Sequence, residues 1–293
     1  ITPVARLEAV NIGGVLVSNA TLHNFDEIEK KDIRVGDTVE IHRAGDVIPH
    51  VIRVIKKEVI RNNIIVAPKF CPSCNGDTLK EKEEAILRCT NLYKCEAQKI
   101  GQIVHFVSKK SMNIDGFGEK QVKQFFDLKL IKKIDDIFQI HKNKNIITNL
   151  DGWGKLSFNN LIESIDSAKV INLDKFIFSL GIRYIGETTS ILLAKEFINI
   201  KNFIKNSYNI ERLSTIDGLG PKAIKSILNY FSTKENLTTV LHLIKILNIS
   251  NFKQPKSNSF FSDKNLVFTG RFNKLSREEA KHLAQQAGAK ISN

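Results

Sequence analysis

Residues Ile114–Gly118, with the sequence IDGFG, are the first of four related segments that decide the fold of most of this 293-residue chain. The others are Leu150–Gly154 (LDGWG), Ile182–Gly186 (IRYIG) and Ile216–Gly220 (IDGLG), and their last glycines are 36, 32 and 34 residues apart. A period of this length indicates a repeated supersecondary unit. In each unit we expect a helix to end at an apolar residue, a Gly-apolar-Gly turn to reverse the chain, and a second helix to follow at once.

The residues after each of these four glycine turns are spaced as on one face of an amphipathic helix. After Gly220 the apolar positions are Ala223, Ile224, Ile227, Leu228 and Phe231, and after Gly154 they are Leu156, Phe158, Leu161, Ile162 and Ile165. If these faces bury against neighbouring units, the turn amides remain exposed at a helix N-terminus, where they form a site for a phosphate oxygen.

The pattern resembles tandem helix-hairpin-helix motifs, which are common in DNA repair proteins. The glycines that match phosphate-binding turns are Gly116, Gly118, Gly152, Gly154, Gly218 and Gly220. In the third turn Tyr184 replaces the first glycine, so we expect that turn to be structural. We expect Trp153, inside the second turn, to pack rather than to stack on a base. The alternative for the whole region is a plain helical repeat with glycine turns.

All four cysteines lie in one short segment, as Cys71-x2-Cys74 and Cys89-x5-Cys95. The first pair sits on one tight turn, and the second can complete a tetrahedron from the other side of a short hairpin. Four thiolates leave no coordination position for water, so the pattern predicts a structural, not catalytic, Zn²⁺ site. The alternatives are two disulfides or four free thiols, and disulfides are disfavoured because no secretory feature is visible.

Residues 1–66 have the pattern of a small β-barrel. The segments 38–43 and 47–55 read as strands around a turn, 64–66 reads as a further short strand, and a helix is predicted between 18 and 29. Barrels of the OB type bind nucleic acid through groove contacts.

Composition and charge indicate a polyanionic partner. The chain has 44 Lys and Arg against 31 Asp and Glu, a net charge of +13, and 42% hydrophobic residues, so wholesale disorder is excluded. The basic excess suggests nucleic acid, with a solvated basic surface as the alternative. The longest uncharged stretch, residues 9–25, contains polar residues and glycines, so we predict no membrane span and no membrane partner.

Several stretches are similar, in order, to bacterial NAD-dependent DNA ligases. Thr2–Ala5 (TPVA), Ser18–Asn24 (SNATLHN) and Arg43–Pro49 (RAGDVIP) resemble the OB-fold domain of that family. The cysteine spacing is similar to its zinc finger, and the four glycine turns to its helix-hairpin-helix domain. The tail, with Lys264–Gly270 (KNLVFTG) and Leu275–Ala280 (LSREEA), resembles the opening strand and helix of its BRCT domain.

The resemblance implies a multidomain chain. Its expected parts are a partial OB-fold β-barrel lacking its first strand at 1–66, a four-cysteine zinc finger at 67–97, an α-helical domain of four helix-hairpin-helix motifs at 98–254, and a truncated α/β BRCT domain at 262–293.

The resemblance also implies part of an enzyme of DNA replication and repair that seals nicks in duplex DNA. Such ligases adenylate a lysine from NAD, pass AMP to the 5′-phosphate and join it to the 3′-hydroxyl, with Mg²⁺ assisting. Their nucleophile is the lysine of a Lys-x-Asp-Gly motif. This chain has three Asp-Gly pairs, and the residue two positions before the aspartate is Asn113, Asn149 or Thr215, never lysine. We therefore expect no catalytic residue in this chain and the amino-terminal catalytic half to be missing from it.

Individual contacts follow from the same resemblance. Arg43, Val47 and Ile48 match OB residues that enter the minor groove near the nick, where a basic group and apolar wedges exploit groove width and unstacking. The alternatives are a surface strand cation for Arg43 and barrel core for Val47 and Ile48. Thr269 and Gly270 match a strand-end turn that can hold phosphate in BRCT domains.

The expected partner is nicked duplex DNA, contacted through its sugar-phosphate backbone by a monomer in the bacterial cytoplasm, associated with the nucleoid. The alternative is a non-catalytic, zinc-containing DNA-binding repair scaffold. The seven histidines are scattered along the sequence, and we expect none of them to have a partner at metal or catalytic spacing.

Overall fold

The chain divides into two compact units, residues 1–99 and 100–293. The structure is a computed structural model, and it describes residues 1–42, 48–57, 61–92, 94–253, 259–261, 264–270, 272, 275, 280–281, 283–284 and 287–291. In these ranges the helices are all too short or too polar to cross a membrane.

A four-stranded sheet forms the first part of unit 1. Its strands are β1 (Val4–Ile12), β2 (Val15–Thr21), β3 (Thr38–His42) and β4 (His50–Lys56), in the order β1-β2-β4-β3. β1–β2 and β3–β4 are antiparallel pairs, and a parallel bridge between Thr21 and His50 joins them. Among the described strands β1 and β3 each have one neighbour, so the sheet is open between them.

Helix α1 (Phe25–Lys30) closes one face of the sheet. The side chain of Asn24 caps it by accepting a hydrogen bond from the N–H of Glu27 at 2.8 Å. Ile28 is buried against Val51 and other apolar residues of the sheet. A short hairpin of β5 (Thr78–Leu79) and β6 (Arg88–Cys89) follows later in the same unit.

One prediction for this unit is wrong, and another is confirmed with narrower bounds. The helix predicted between 18 and 29 is α1, which begins only at Phe25 because residues 18–21 belong to β2. Residues 64–66 form no strand; the chain just before them is held by Arg61, which donates hydrogen bonds to Asp32 at 2.5 Å and Asp37 at 2.7 Å. The strands predicted at 38–43 and 47–55 are confirmed as β3 and β4 within the described residues.

Unit 2 is helical. After α2 (Glu96–Val107), which spans the boundary, its helices are α3 (Glu119–Asp127), a 3₁₀ helix (Ile134–Asn143), α4 (Lys144–Ile147), α5 (Lys155–Ser167), α6 (Leu173–Ser179), α7 (Glu187–Phe197), α8 (Ile200–Asn206), α9 (Ile210–Ser214), α10 (Pro221–Ser232) and α11 (Lys234–Ile246). Strands β7 (Val170–Asn172) and β8 (Asn248–Ser250) pair in parallel beside them. One hydrophobic core runs through these elements, and Phe106, Phe125 and Phe203 are fully buried in it.

The predicted apolar faces are mostly buried. On α10, Ala223, Ile224, Ile227 and Phe231 lie in the core and Leu228 packs partly buried against it. On α5 the prediction for Leu156 is wrong, because its side chain is 75% exposed. Leu156 precedes buried Phe158 by two residues, which on a helix is a rotation of about 200° away from the core stripe.

In the carboxyl-terminal segment, β9 (Asn265–Leu266) lies where the resemblance predicted a strand, and it pairs in parallel with β10 (Lys290–Ile291). Most of the helix predicted at 275–280 lies outside the described residues.

Candidate nucleic-acid interface and metal centre

The four cysteine sulfurs converge on one point. All four Sγ atoms lie within 4.8 Å of one another, with Cys71 and Cys95 4.0 Å apart and Cys74 and Cys89 3.5 Å apart. Zn–S bonds of about 2.3 Å in a tetrahedron place sulfurs about 3.8 Å apart, so the spacing fits one zinc ion. The distances also exclude disulfides, whose sulfurs are about 2.05 Å apart.

Asn91 supports the sulfurs from outside the ligand set. Its backbone N–H donates to Cys89 Sγ at 3.4 Å, and its side-chain Nδ2 donates to Cys74 Sγ at 3.7 Å. A Cβ at Gly76 would lie 2.9 Å from Asn91 Cβ, so glycine is needed there for this approach. Sequence reasoning missed both residues, since neither belongs to the cysteine pattern.

The pKa values of two of the thiols are shifted in opposite directions. Hydrogen bonding by the backbone N–H of Ser73 lowers the pKa of Cys71 to about 7. Burial raises the pKa of Cys89 to about 11. A metal ion that binds at neutral pH must therefore displace a proton from Cys89, and metal affinity falls in acid.

The four glycine turns share one backbone design. The third residue of each segment has positive φ, with values of 74° at Gly116, 77° at Gly152, 64° at Tyr184 and 81° at Gly218. In three of the turns the N–H of the fourth residue donates to the carbonyl of the first, from Trp153 to Leu150 at 3.0 Å, from Ile185 to Ile182 at 3.0 Å and from Leu219 to Ile216 at 3.2 Å. A positive φ at the third position is what a type II turn requires. The third turn keeps this geometry although its third residue is Tyr184 and not glycine.

The fifth residue of each turn is glycine for a different reason. Gly118, Gly154, Gly186 and Gly220 are the N-caps of α3, α5, α7 and α10, and each has a negative φ that any residue adopts. In the described part of the chain, a Cβ on Gly154, Gly186 or Gly220 would meet no atom within 4 Å, and one on Gly118 would lie 3.4 Å from Gln121 Oε1. Neither the backbone nor internal packing requires glycine, so what it provides is open access to the helix amides.

The apolar residue between the glycines anchors each turn. Phe117, Ile185 and Leu219 are buried in the core of unit 2. Trp153 packs against the same core, with its ring centroid 5.0 Å from that of Phe125, and Nε1 donates to Gln124 Oε1 at 2.9 Å. The turns are therefore held rigidly from inside, and Trp153 packs as predicted.

The first turns of the following helices differ in charge. α5 begins with Lys155 and α10 with Pro221 and Lys222, and neither has an acidic residue in its first turn. α3 begins with Glu119, and α7 begins with Glu187, whose carboxylate lies 2.7 Å from Lys110 Nζ. Because an anion at a helix N-terminus is repelled by a neighbouring carboxylate, the second and fourth turns suit phosphate better than the first and third.

Of the three residues predicted to contact the DNA groove, only Ile48 lies among the described residues. Arg43 and Val47 lie outside the described residues. Ile48 is 70% exposed, which excludes the barrel-core alternative for this residue. Its side chain is exposed to solvent just before β4 begins.

Three of the histidines lie together, a cluster that the sequence does not predict, although among the described residues only the four cysteines converge as metal ligands. The ring centroid of His50 is 5.4 Å from that of His23 and 5.7 Å from that of His42. His242 also has a partner, Asp135, whose Oδ2 is 3.2 Å from Nδ1. The spacing along the chain hides the cluster, because only the pairings of His50 with Thr21 and with His42 bring these positions together.

Of the tail positions, Gly270 has a φ of 81°, and a Cβ there would meet no described atom within 4 Å. This is compatible with a turn after β9. Thr269 precedes it in the same described stretch.

Three protein-family descriptions match segments of the chain. "NAD-dependent DNA ligase OB-fold domain" matches residues 1–63, "NAD-dependent DNA ligase C4 zinc finger domain" matches 70–97, and "Helix-hairpin-helix motif" matches 175–240. The last range contains the third and fourth glycine turns. These matches confirm the predicted OB-fold domain, four-cysteine zinc finger and helical helix-hairpin-helix region.

Proteins that are similar to this chain over its whole length are named DNA ligase. The chain is 47% identical to a DNA ligase of Pelagibacter ubique over 99% of this chain and 44% of that protein. It is 44% identical to DNA ligases of Rickettsia canadensis and Rickettsia bellii over 100% of this chain and 44% of each. The chain thus spans less than half the length of these relatives. The predicted resemblance to NAD-dependent DNA ligases is confirmed.

Proposed function

We propose that this chain, which is similar to DNA ligases throughout and carries OB-fold and zinc finger domains of the NAD-dependent kind, is the DNA-binding part of such an enzyme. The enzyme seals nicks in duplex DNA by joining 5′-phosphate and 3′-hydroxyl ends with NAD as the AMP donor, in replication and repair. The observation that carries this proposal is the set of N-cap glycines in the four turns, which leave helix amides open although neither backbone nor packing demands it.

The domains have separate tasks in this proposal. The OB domain, at 1–66, inserts Arg43, Val47 and Ile48 into the minor groove beside the nick. The zinc finger, at 67–97, binds Zn²⁺ through its four cysteines and stabilises the fold. The helical domain, at 98–254, holds backbone phosphates at its first, second and fourth turns through Gly116, Gly118, Gly152, Gly154, Gly218 and Gly220.

The remaining assignments rest on the resemblance. Residues 262–293 begin a BRCT domain in which Thr269 and Gly270 hold a phosphate. NAD and Mg²⁺ serve the whole enzyme, and we identify no residue of this chain that binds them. The protein acts as a monomer in the cytoplasm, associated with the nucleoid.

The test is DNA binding by the 293-residue chain, measured by fluorescence anisotropy on nicked duplexes of two unrelated sequences. Contacts to phosphate predict similar affinities for both sequences and a linear fall of log K with log salt, with a slope of about −0.9 per phosphate contacted. Affinity that ignores salt, or that differs strongly between the sequences, would count against phosphate binding by the turns.

A second measurement concerns the chemistry. NAD labelled in its AMP portion should leave no covalent label on this chain, because the sequence has no Lys-x-Asp-Gly motif. A labelled adduct would reveal a nucleophile among the residues present.

A further inference from the structure

We propose that His23, His42 and His50 form a proton-linked binding site for a DNA backbone phosphate, which strengthens DNA binding as the pH falls. The inference rests on the proposed function, since it takes DNA as the polyanion. The three residues meet at one end of the sheet: His23 follows the end of β2, His42 ends β3, and His50 begins β4.

The geometry places His50 between the other two rings. Its centroid lies 5.4 Å from His23, with a tilted arrangement, and 5.7 Å from His42, with an edge-on arrangement. His23 and His42 are exposed and His50 is half-buried, so a ligand in solvent reaches the cluster. His23 also has a φ of 62°, a conformation unusual for a residue other than glycine.

An anion is the ligand that suits three protonated imidazoles this close together, and among the described residues only the four cysteines are spaced to hold a metal ion. Imidazole side chains gain their proton near pH 6.5, and two imidazolium rings at these distances repel each other unless a negative charge offsets the repulsion. A phosphate does this, because its oxygens accept charge-assisted hydrogen bonds from imidazolium N–H groups. The exposed side chain of Ile48, two residues before His50, places the cluster next to the proposed groove contact.

One carboxylate lies near the cluster, since Glu27 interacts electrostatically with His23 while it also pairs with Lys31. The charged residues on the neighbouring elements are Arg6 and Glu8 of β1, Asp26, Glu27, Glu29 and Lys30 of α1, Glu40 of β3, and Arg53 and Lys56 of β4. Three of these carboxylates already have cationic partners, since Asp26 pairs with Lys80 at 2.5 Å, Glu27 with Lys31 at 3.1 Å and Glu40 with Arg53 at 2.6 Å. Arg43 and Asp46, on the segment between β3 and β4, lie outside the described residues.

The experiment measures the affinity of the chain for one nicked duplex at pH 8.0 and pH 6.0, each over a salt series. We expect affinity to rise about three- to tenfold at the lower pH. The slope of log K against log salt should steepen by about 0.9 for each imidazolium that contacts a phosphate.

The variants are His50→Gln, His42→Gln and His23→Asn, the last chosen because asparagine tolerates a positive φ. Each should lose half or more of the gain in affinity that the unmodified chain shows between pH 8.0 and pH 6.0. His141→Gln, an exposed histidine of the 3₁₀ helix in unit 2, is the matched control and should keep the full gain.

Melting temperature and zinc content at both pH values show whether each variant is folded. Each of the three variants is compared separately with the unmodified chain. The proposal is overturned if the unmodified chain gains no affinity and no salt slope at pH 6.0, or if the folded variants keep the whole gain. Absence of salt-dependent binding at pH 8.0 would instead refute the proposed function.

Discussion

Gly152 and Gly154 lie two residues apart in the second turn, and they are glycine for different physical reasons. Gly152 has a φ of 77°, in the left-handed region, whereas Gly154 has a φ of −153° and caps α5. A Cβ on either residue would meet no described atom within 4 Å. A side chain at 152 therefore strains the backbone, while one at 154 occupies the space in front of the α5 amides.

The first prediction separates these roles by stability. Gly152→Ala should lower the free energy of unfolding by about 1–2 kcal/mol, because an L-residue resists left-handed φ. Gly154→Ala should cost less than about 1 kcal/mol, since only a modest N-cap preference is lost. Urea unfolding followed by circular dichroism measures both. Equal losses would mean that the two glycines do not differ in the way their conformations indicate.

The second prediction tests by DNA binding whether Gly154 leaves room for a phosphate in front of α5. Gly154→Asp should keep or raise stability, because aspartate is a good N-cap, yet weaken DNA binding about three- to tenfold by repelling phosphate. Gly154→Asn adds a side chain of the same shape without charge, so the difference between the two variants isolates the electrostatic part. Anisotropy titrations on nicked duplex measure the effect.

Gly186→Asp is the matched control for this charge. The third turn has the same N-cap geometry, but Glu187 already follows it and Tyr184 replaces its first glycine. We expect little change in DNA affinity. A loss as large as that of Gly154→Asp would show that the third turn also holds phosphate.

The features that could be predicted from the sequence are those fixed by short segments. The glycine turns are predictable because the third residue needs a positive φ and the flanking residues are apolar, all within five positions. The cysteine site is predictable because ligand type and spacing define it, and the sulfurs of Cys71 and Cys95 do converge.

The features that sequence reasoning missed depend on contacts between distant residues. The sequence does not predict β1, because the side chains of this strand are exposed or only half-buried, with Val4 56% exposed. Apolar and polar residues therefore alternate only weakly along it. In place of the strand expected at 64–66, the nearby Arg61 contacts Asp37 and Asp32, which lie 24 and 29 residues earlier in the chain. The histidine cluster and the role of Asn91 arise in the same way, from pairing across the sheet and from the close approach allowed at Gly76.

The third prediction concerns Asn91. Removing its side chain in Asn91→Ala takes a hydrogen bond from Cys74 Sγ, and loss of such an outer partner typically lowers metal affinity about 10- to 100-fold. Thr90→Ala is the control, because the Thr90 hydroxyl donates to the carbonyl of Asp77 and not to a sulfur. Competition with a chelating indicator measures zinc affinity. Equal affinities in the two variants would exclude a supporting role for Asn91.

The last prediction concerns the stability of unit 1 in acid. Arg61 donates hydrogen bonds to Asp32 and Asp37, and this contact, with Lys57 adding to it, holds the pKa of Asp32 well below its usual range. A group with a depressed pKa in the folded state contributes stability above its unfolded pKa, near 3.9 for aspartate, and loses it as the pH falls toward the folded pKa.

We therefore expect Asp32→Asn to be less stable than the unmodified chain at pH 7 and the difference to shrink below about pH 4. Asp26→Asn, which breaks an exposed pair with Lys80, serves as the control and should change stability little at either pH. Thermal unfolding of all three proteins in matched buffers measures this, and any zinc lost in acid is lost from each of them alike. A constant difference between Asp32→Asn and the unmodified chain across the whole pH range would show that the carboxylate charge of Asp32 does not stabilise the loop.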